Sequence, residues 1–185
     1  MRRLSPTVVT LIFFILLDSM AFYVAYVKRN INHVPVAMSG LAPEITWKAF
    51  DGSSHTLKDL AGHVVVLHFW AAWCPPCRQE FPRLLKAAAD NPDTMFLTIS
   101  SDDTLDKPEQ FVKEMQSAAG TKSPKNVLYA WDPSRTITYD QFLTISYPET
   151  IFIDGSGHMR RKVSAPLDWS NKGVKEYLQE LRSTK

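Results

Sequence analysis

Apolar runs and helical repeats alternate along most of the chain. Residues 63–70 and 94–99 are nearly continuous apolar runs, as is typical of strands that are covered on both faces. Residues 107–119 and 170–182 carry apolar side chains at three- and four-residue spacing, which predicts amphipathic helices. This alternation favours an α/β sheet.

Shorter patterns complete the predicted order of elements. Residues 44–50 and 54–57 flank an Asp-Gly turn and predict a β-hairpin. The other predicted elements are a helix over 75–90, a short strand over 126–130, a short helix over 133–142, and a closing hairpin of strands 149–153 and 158–163.

The N-terminal part of the chain has the pattern of a membrane anchor. Residues 7–27 form a 21-residue, almost wholly apolar stretch whose only charge is Asp18, and about 20 such residues cross a bilayer. A cleaved signal peptide would have a shorter apolar region and a small-residue cleavage site. We therefore predict an uncleaved signal-anchor within residues 1–29, a linker over 30–41 and one domain over 42–185.

Charge adds little to this picture once the anchor is set aside. The chain has 21 basic and 19 acidic residues, but residues 30–185 carry 17 and 18. Nothing in this balance favours binding to nucleic acid. Because the tail before the anchor is short, we expect the domain to lie on the extracytoplasmic side of a bacterial cytoplasmic membrane. Basic residues flank the anchor on both sides, so charge does not fix its orientation.

The chemistry of the chain points to its only two cysteines. Cys74 and Cys77 lie in Trp73-Cys74-Pro75-Pro76-Cys77, between a predicted strand and a predicted helix. A C-x-x-C spacing at such a junction indicates a reversible dithiol/disulfide centre. The helix N-terminus favours negative charge, so we expect the pKa of Cys74 to lie below its free value of about 8.5. We predict that Cys74 is the nucleophile and Cys77 the resolving thiol.

Three other interpretations of the cysteine pair fit less well. A purely structural disulfide across two residues closes too small a loop to constrain the unfolded chain usefully. A zinc site needs about four ligands, and the five histidines are scattered. A c-type haem site would have histidine after the second cysteine, where this chain has Arg78.

Four segments carry a resemblance to a known family. They are residues 57–62, the C-x-x-C region over 69–82, the long segment 102–145, and residues 147–155. Together they resemble the thioredoxin superfamily, and in particular its membrane-anchored extracytoplasmic branch that includes TlpA, ResA and CcmG. The resemblance implies a thioredoxin-like fold, with a central mixed sheet, helices on both faces, an N-terminal β-hairpin extension and a central insertion.

The resemblance also implies roles for residues around the cysteines. Pro148 matches the cis-proline that faces the C-x-x-C motif, and the backbone of Tyr147 would pair with an extended substrate segment. Trp73, Pro75 and Pro76 would complete the surface that binds the substrate.

Two further positions have open interpretations. In the ResA-like branch an acid at the position of Glu80 lies near the thiols and is implicated in substrate selection and thiol tuning; the alternative is a solvated glutamate on the helix surface. Plain thioredoxins have a buried acid where this chain has His68. That histidine is a candidate proton relay or a hydrogen-bonded core residue. Trp70 either walls the site or packs in the core.

The implied activity is the reduction of selected protein disulfides, such as the haem-binding cysteines of apocytochrome c. The electrons would come from a membrane thiol carrier of the DsbD/CcdA type, and no cofactor or metal is expected. One alternative is a general oxidase or isomerase of secreted proteins. Another is a copper or thiol chaperone, in which Cys74 and Cys77 hold a soft metal ion and His158 is a candidate third ligand.

Overall fold

The computed structural model describes residues 18–20, 36–37 and 40–183. Apart from the helical residues 18–20, the predicted anchor over 7–27 lies outside these ranges. Among the described residues, no helix is both long and apolar enough to cross a membrane. The chain divides into two compact units, residues 1–34 and 35–185, and the second contains the cysteines.

Strands and helices follow one another in the second unit much as the apolar pattern predicts. The strands are β1 (Val36–Ala37), β2 (Thr46–Ala49), β3 (Ser54–Thr56), β4 (Val64–Trp70), β5 (Thr94–Ser100), β6 (Val127–Trp131), β7 (Glu149–Ile153) and β8 (Met159–Val163). The α-helices are α1 (Pro75–Asp90), α2 (Asp106–Ala119) and α3 (Lys172–Ser183), with a 3-10 helix over Leu57–Leu60 and a π-helix over Thr136–Gln141.

Among the described residues the strands form one mixed sheet in the order β1-β8-β7-β4-β5-β6-β2-β3. The neighbours β4, β5 and β6 are parallel, whereas the other pairs are antiparallel. The edges of the sheet are therefore β1 and β3, with two and three residues. The fold confirms the predicted thioredoxin-like α/β architecture with a central mixed sheet.

Strand β4 lies inside the sheet, between β7 and β5, and every one of its residues is buried. Successive side chains of a strand point to opposite faces, and β4 fills both sides of the sheet with apolar groups. Val66 and Trp70 pack in the cluster that contains the buried residues of α1, α2 and α3, whereas Leu67 and Phe69 belong to the cluster on the other face.

The two faces differ in what covers them. All three α-helices contribute to one apolar cluster. The other cluster draws Leu60 from the 3-10 helix, Ile137 from the π-helix and Phe142 from the residue after it. We expected helices on both faces. The second face has only short helical turns, because the chain between β6 and β7 forms one π turn and no α-helix.

The junction before the domain also differs from the prediction. Residues 30–41 are predicted as a linker, yet Val36 and Ala37 form β1 and pair with Lys162 and Arg161 of β8. The compact unit accordingly begins at Pro35. Two residues are too few for a periodic pattern, so the sequence gives no sign of this strand.

Candidate active site

The two cysteines form a disulfide at the N-terminus of α1. The Sγ atoms of Cys74 and Cys77 are 2.06 Å apart. Cys74 is the N-cap residue with extended backbone, and its sulfur accepts a hydrogen bond from the Cys77 N–H at 3.2 Å. Pro75 and Pro76 open the helix, where proline costs no intrahelical hydrogen bond. Because the two prolines have no N–H and the Arg78 N–H donates to the Cys74 carbonyl, the Cys77 N–H is the donor that this helix end offers to the sulfur.

Both sulfur-bearing residues are buried, with exposures of 2% for Cys74 and 0% for Cys77. Cys77 is thus the more buried of the two by a small margin. The roles of nucleophile and resolving thiol remain predictions from the motif.

An acid that the sequence analysis did not single out holds the loop before the disulfide. The Oδ2 atom of buried Asp102 accepts the Ala72 N–H and the Ser100 hydroxyl, each at 2.8 Å. The carbonyl of Asp102 accepts the indole N–H of Trp131 at 2.7 Å. The end of β5 thus fixes the backbone two residues before Cys74. The only signal in the sequence is an acid directly after a buried strand.

The predicted cis-proline is present, since the Tyr147–Pro148 peptide is cis. The ring of Tyr147 lies edge-on to that of Trp73, with centroids 5.7 Å apart. Partial burial raises the pKa of the Tyr147 phenol, which therefore stays neutral near pH 7. The structure thus brings the residue before the proline beside the residue before Cys74.

A groove of about 660 Å³ opens beside this aromatic pair. Trp73 and Tyr147 form one wall, and residues from the π-helix and the following loop, among them Tyr139 and Ile145, form the rest. Ile145 is 83% exposed and Trp73 60%. Large apolar side chains exposed together in a concave surface are typical of a binding site. The sequence placed this segment in an insertion but did not indicate that it lines the site.

An ion pair between buried Glu149 and partly buried Lys162 holds the far side of this loop. Lys162 Nζ lies 2.8 Å from Glu149 Oε1 and 2.8 Å from the carbonyl oxygen of Phe142. Glu149 also accepts hydrogen bonds from the hydroxyls of Thr144 and Ser164. Since Glu149 follows Pro148 directly, these contacts join the loop after the π-helix to the cis-proline.

Glu80 is a buried residue of α1, and the interpretation as a solvated glutamate is wrong. Its Oε2 accepts the Leu167 N–H at 2.6 Å. Burial raises the pKa of Glu80 to about 8, against smaller opposite effects of that N–H and of Arg83. The carboxyl group is therefore mostly protonated at pH 7.

His68 lies in the centre of β4 with an exposure of 0%. Its Nδ1 is 3.0 Å from Thr150 Oγ1, and its ring meets Phe81 and Trp169 edge-on. Burial lowers the pKa of His68 to about 3, so the imidazole is neutral at pH 7. Its Nε2 is 3.3 Å from Oε1 of Glu80, a contact between two candidate residues that the sequence analysis treated separately.

Two other candidates lie away from the disulfide or inside the core. Trp70 is fully buried against Phe81 and Phe111, which favours core packing. His158 ends the turn between β7 and β8. Because β7 runs antiparallel to β4, that turn lies at the opposite end of the sheet from Cys74. His158 therefore cannot join the two cysteines as a metal ligand.

Comparison with known proteins agrees with this site. The AhpC/TSA family profile matches residues 39–162. The thiol:disulfide interchange protein HelX of Rhodobacter capsulatus is 31% identical over 150 residues, which are 80% of each chain. The thiol:disulfide interchange protein DsbE homolog of Paracoccus denitrificans is 31% identical over 158 residues, which are 82% of each chain.

Solved structures share the fold. A putative thiol:disulfide interchange protein DsbE from Chlorobium tepidum superimposes with a TM-score of 0.67 and 22% identity, covering 79% of this chain and 98% of that one. At this identity the likeness concerns the fold alone.

Proposed function

The chain is a thiol-disulfide oxidoreductase of the AhpC/TSA family, and we propose that it reduces selected disulfides of proteins outside the bacterial cytoplasmic membrane. The observation that carries the proposal is the Cys74–Cys77 disulfide at the start of α1, beside the exposed groove of Trp73 and Tyr147. A redox pair next to a surface that fits an extended chain suits a protein substrate better than a small molecule.

In the reduced protein, the thiolate of Cys74 attacks one sulfur of the substrate disulfide. A Cys74–substrate bond forms, the substrate S–S bond breaks, and the leaving cysteine takes up a proton. Cys77 then attacks the Cys74 sulfur, which releases the second substrate cysteine and restores the disulfide seen here. Two electrons pass to the substrate in each cycle. The Cys77 N–H, 3.2 Å from the Cys74 sulfur, stabilises the attacking thiolate.

We propose that the substrate segment lies along Tyr147 and Pro148 in extended form. Backbone pairing at this edge would hold the substrate cysteine, as in other cases of strand addition. The apolar wall of Trp73, Tyr139 and Ile145 would accept side chains that flank that cysteine. Such a surface recognises an unfolded segment, because apolar side chains near a cysteine are accessible mainly before folding.

The resemblance to ResA and CcmG suggests apocytochrome c as the substrate. Its haem-binding cysteines would become a disulfide in an oxidising compartment, and haem attachment needs them reduced. A membrane thiol carrier of the DsbD/CcdA type would then return two electrons to Cys74–Cys77. We further propose that the apolar stretch over residues 7–27 anchors the protein in the cytoplasmic membrane with the domain on the outer side.

Trapping of partners tests this proposal. A Cys77→Ser protein, expressed at full length in a bacterium that makes c-type cytochromes, should accumulate a mixed disulfide on Cys74, because no resolving thiol remains. Apocytochrome c in that complex would support the proposal, and Cys74→Ser serves as the control that traps nothing. A broad set of secreted proteins in the trap would instead indicate general disulfide repair.

The reduction potential tests the direction of electron flow. A reductant should have a potential near that of thioredoxin, about −270 mV. Equilibration of Cys74–Cys77 with glutathione buffers measures it. A value near that of a strong oxidant such as DsbA, about −120 mV, would overturn the reductive assignment in favour of an oxidase.

A further inference from the structure

A histidine and a glutamate meet in the interior of the domain. His68 Nε2 of β4 lies 3.3 Å from Glu80 Oε1 of α1, and the side-chain exposures are 0% and 3%. Neither atom makes a hydrogen bond of regular geometry with any described residue, although the two lie 3.3 Å apart. A buried polar atom without a partner is costly, so this contact needs an explanation.

The other atoms of both groups fix how the pair faces. Glu80 Oε2 is held by the Leu167 N–H at 2.6 Å, which turns Oε1 toward the histidine. The imidazole is held at its other nitrogen, with Nδ1 3.0 Å from Thr150 Oγ1. If Nε2 and Oε1 both lacked hydrogen, two lone pairs would face each other in a dry site. We infer that one of the two atoms carries a proton that faces the other.

In a pair without net charge, the proton can be bound either to His68 Nε2 or to Glu80 Oε1. An ion pair of imidazolium and carboxylate would require two desolvated charges, and the desolvation of each ion opposes it. A neutral acid that donates to a neutral imidazole requires none. The low pKa of His68 and the high pKa of Glu80, both caused by burial, favour the neutral arrangement.

The surroundings offer little charge to reverse this preference. Across the sheet, His68 has Thr98 of β5 and Thr150 of β7 as neighbours. The rings of Phe81 and Trp169 cover the imidazole. The charged group that acts on Glu80 is Arg83, one turn further along α1, and the field of Arg83 also acts on Asp168 in the segment before α3.

We propose that His68 is a positioning residue that keeps Glu80 as a neutral acid, by donating Nδ1–H to Thr150 and accepting the Glu80 proton at Nε2. The role follows from the proposed redox cycle, on which this inference rests. Glu80 lies three residues after Cys77, on the same side of α1. The pair thus stores one proton about one helical turn from the position of the buried Cys77.

The stored proton has a defined use when the protein is reduced. The thiolate of an electron donor attacks the Cys74 sulfur, a donor–Cys74 bond forms, and the Cys74–Cys77 bond breaks. Cys77 leaves as a thiolate inside the domain, and the Glu80 carboxyl protonates it. A second donor thiolate then attacks the donor sulfur of the mixed disulfide, which releases Cys74 and oxidises the donor to its disulfide. Cys74 takes up one proton from solvent, and the Glu80 carboxylate recovers its proton from solvent as well. His68 stays neutral throughout.

Nitrogen-15 NMR of the histidine rings tests the proton position. In the oxidised full-length protein in detergent micelles, His68 should show the neutral Nδ1–H tautomer at every pH from 5 to 7.5. His68→Gln assigns its signals, and His63→Gln, at an exposed position, is the control that leaves them unchanged. An imidazolium signal, or the Nε2–H tautomer, would overturn the proposal. This readout is independent of substrate and direction, so it can fail while the proposed function stands.

The rate of reduction by dithiothreitol, followed by tryptophan fluorescence, tests the use of the proton. The observed rate constant is divided by the concentration of dithiothreitol thiolate, which itself rises with pH. For the wild-type protein this normalised rate constant should fall about tenfold as pH rises through 8, because general acid catalysis is lost. Glu80→Gln should be slow and flat with pH. His68→Phe should move the inflection by about one pH unit or more, and His68→Gln, whose amide oxygen can accept the proton, should move it back. An inflection unchanged in His68→Phe would contradict the positioning role.

Discussion

The paired burial of Glu80 and His68 makes the stability of the oxidised protein depend on pH at both ends of the accessible range. The pKa of Glu80 rises from 4.5 to about 8, and the pKa of His68 falls from 6.5 to about 3. Between pH 6.5 and 8 only the folded state still binds the Glu80 proton. Below pH 4.5 Glu80 is protonated in both states, but only the unfolded chain binds a second proton at His68.

We therefore predict a plateau of the unfolding free energy between about pH 4.5 and 6.5, where the two effects cancel. Stability should fall by up to about 2 kcal/mol from pH 6.5 to 8, since one pKa unit corresponds to about 1.4 kcal/mol. It should also fall below pH 4.5. Urea unfolding across this range measures both limbs. Glu80→Gln should lose the decline above pH 6.5, and a wild-type-like decline in that variant would contradict the assignment.

The ion pair behind the cis-proline leads to a second prediction. Lys162→Met removes the only cation in contact with buried Glu149 among the described residues, and breaking a buried pair on one side costs about 3 kcal/mol. Urea unfolding should detect this loss. Lys58→Met is the matched control, because Lys58 pairs with Glu44 at 2.7 Å but both side chains are 73% exposed. Its cost should stay under about 1 kcal/mol, and equal losses in both variants would contradict the argument.

At the level of single residues, the sequence identified the two cysteines of the C-x-x-C motif and the cis-proline. Cys74, Cys77 and Pro148 lie where the motif and the resemblance placed them. The contact of His68 with Glu80 could not be read from the chain, because it depends on how the start of α1 rotates over β4. A glutamate three residues after a cysteine looks the same in sequence whether it faces water or the core.

At the level of elements, long apolar runs and helical repeats were located to within one or two residues. The strand predicted over 149–153 is β7, and the helix predicted over 75–90 is α1. The weak points are short elements that depend on tertiary contacts. Two-residue β1 exists because β8 offers an edge to it, and the segment predicted as a short helix over 133–142 closes as a π turn.

One asparagine joins three of these elements. The Nδ2 group of Asn126, just before β6, lies 2.8–3.0 Å from the carbonyl oxygens of Ala88, Asn91 and Thr94. These carbonyls belong to the end of α1, the turn after it and the start of β5. The amide thus adds a donor to the carbonyls of Ala88 and Asn91, which also accept the N–H groups of Asn91 and Thr94, and ties the end of α1 to the start of β5.

We predict that Asn126→Ala lowers the unfolding free energy by roughly 2 kcal/mol, because a buried amide that donates to carbonyls of three segments is lost. Chemical denaturation measures the change. Asn171→Ala is the control, since among the described residues its side-chain oxygen accepts one exposed N–H, that of Gly173 at the start of α3. Loss of such a cap costs about 1 kcal/mol, so a larger effect there than at Asn126 would contradict the prediction.

For the whole molecule, the family resemblance predicted more than the pattern did. Periodicity gives the order of elements but not the face on which each helix packs. The parallel neighbours β4, β5 and β6 are joined by α1 and α2, and right-handed crossovers in one direction place both helices on one face. The C-terminal helix α3 joins them there, so the opposite face is left to shorter segments.

The compact unit that begins at Pro35 should fold without the preceding chain. The described members of both apolar clusters lie within residues 45–181. We predict that a protein of residues 35–185 unfolds in urea as one cooperative transition. A version that starts at residue 42 lacks β1 and should be less stable by about 1 kcal/mol. Equal stability of the two versions would mean that the pairing of β1 with β8 contributes nothing.

The lengths of the two edge strands affect whether this protein aggregates with the chains that it binds. If the protein binds unfolded substrates, as proposed above, it meets many extended segments that can pair with an exposed strand edge. Long, flat sheet edges would template their addition and lead to aggregation. Strands β1 and β3 have two and three residues, too few for a lasting ladder. We expect substrate chains to bind at the groove beside the disulfide and to dissociate once their own disulfide bond is reduced. They should not add to the edge strands of the sheet.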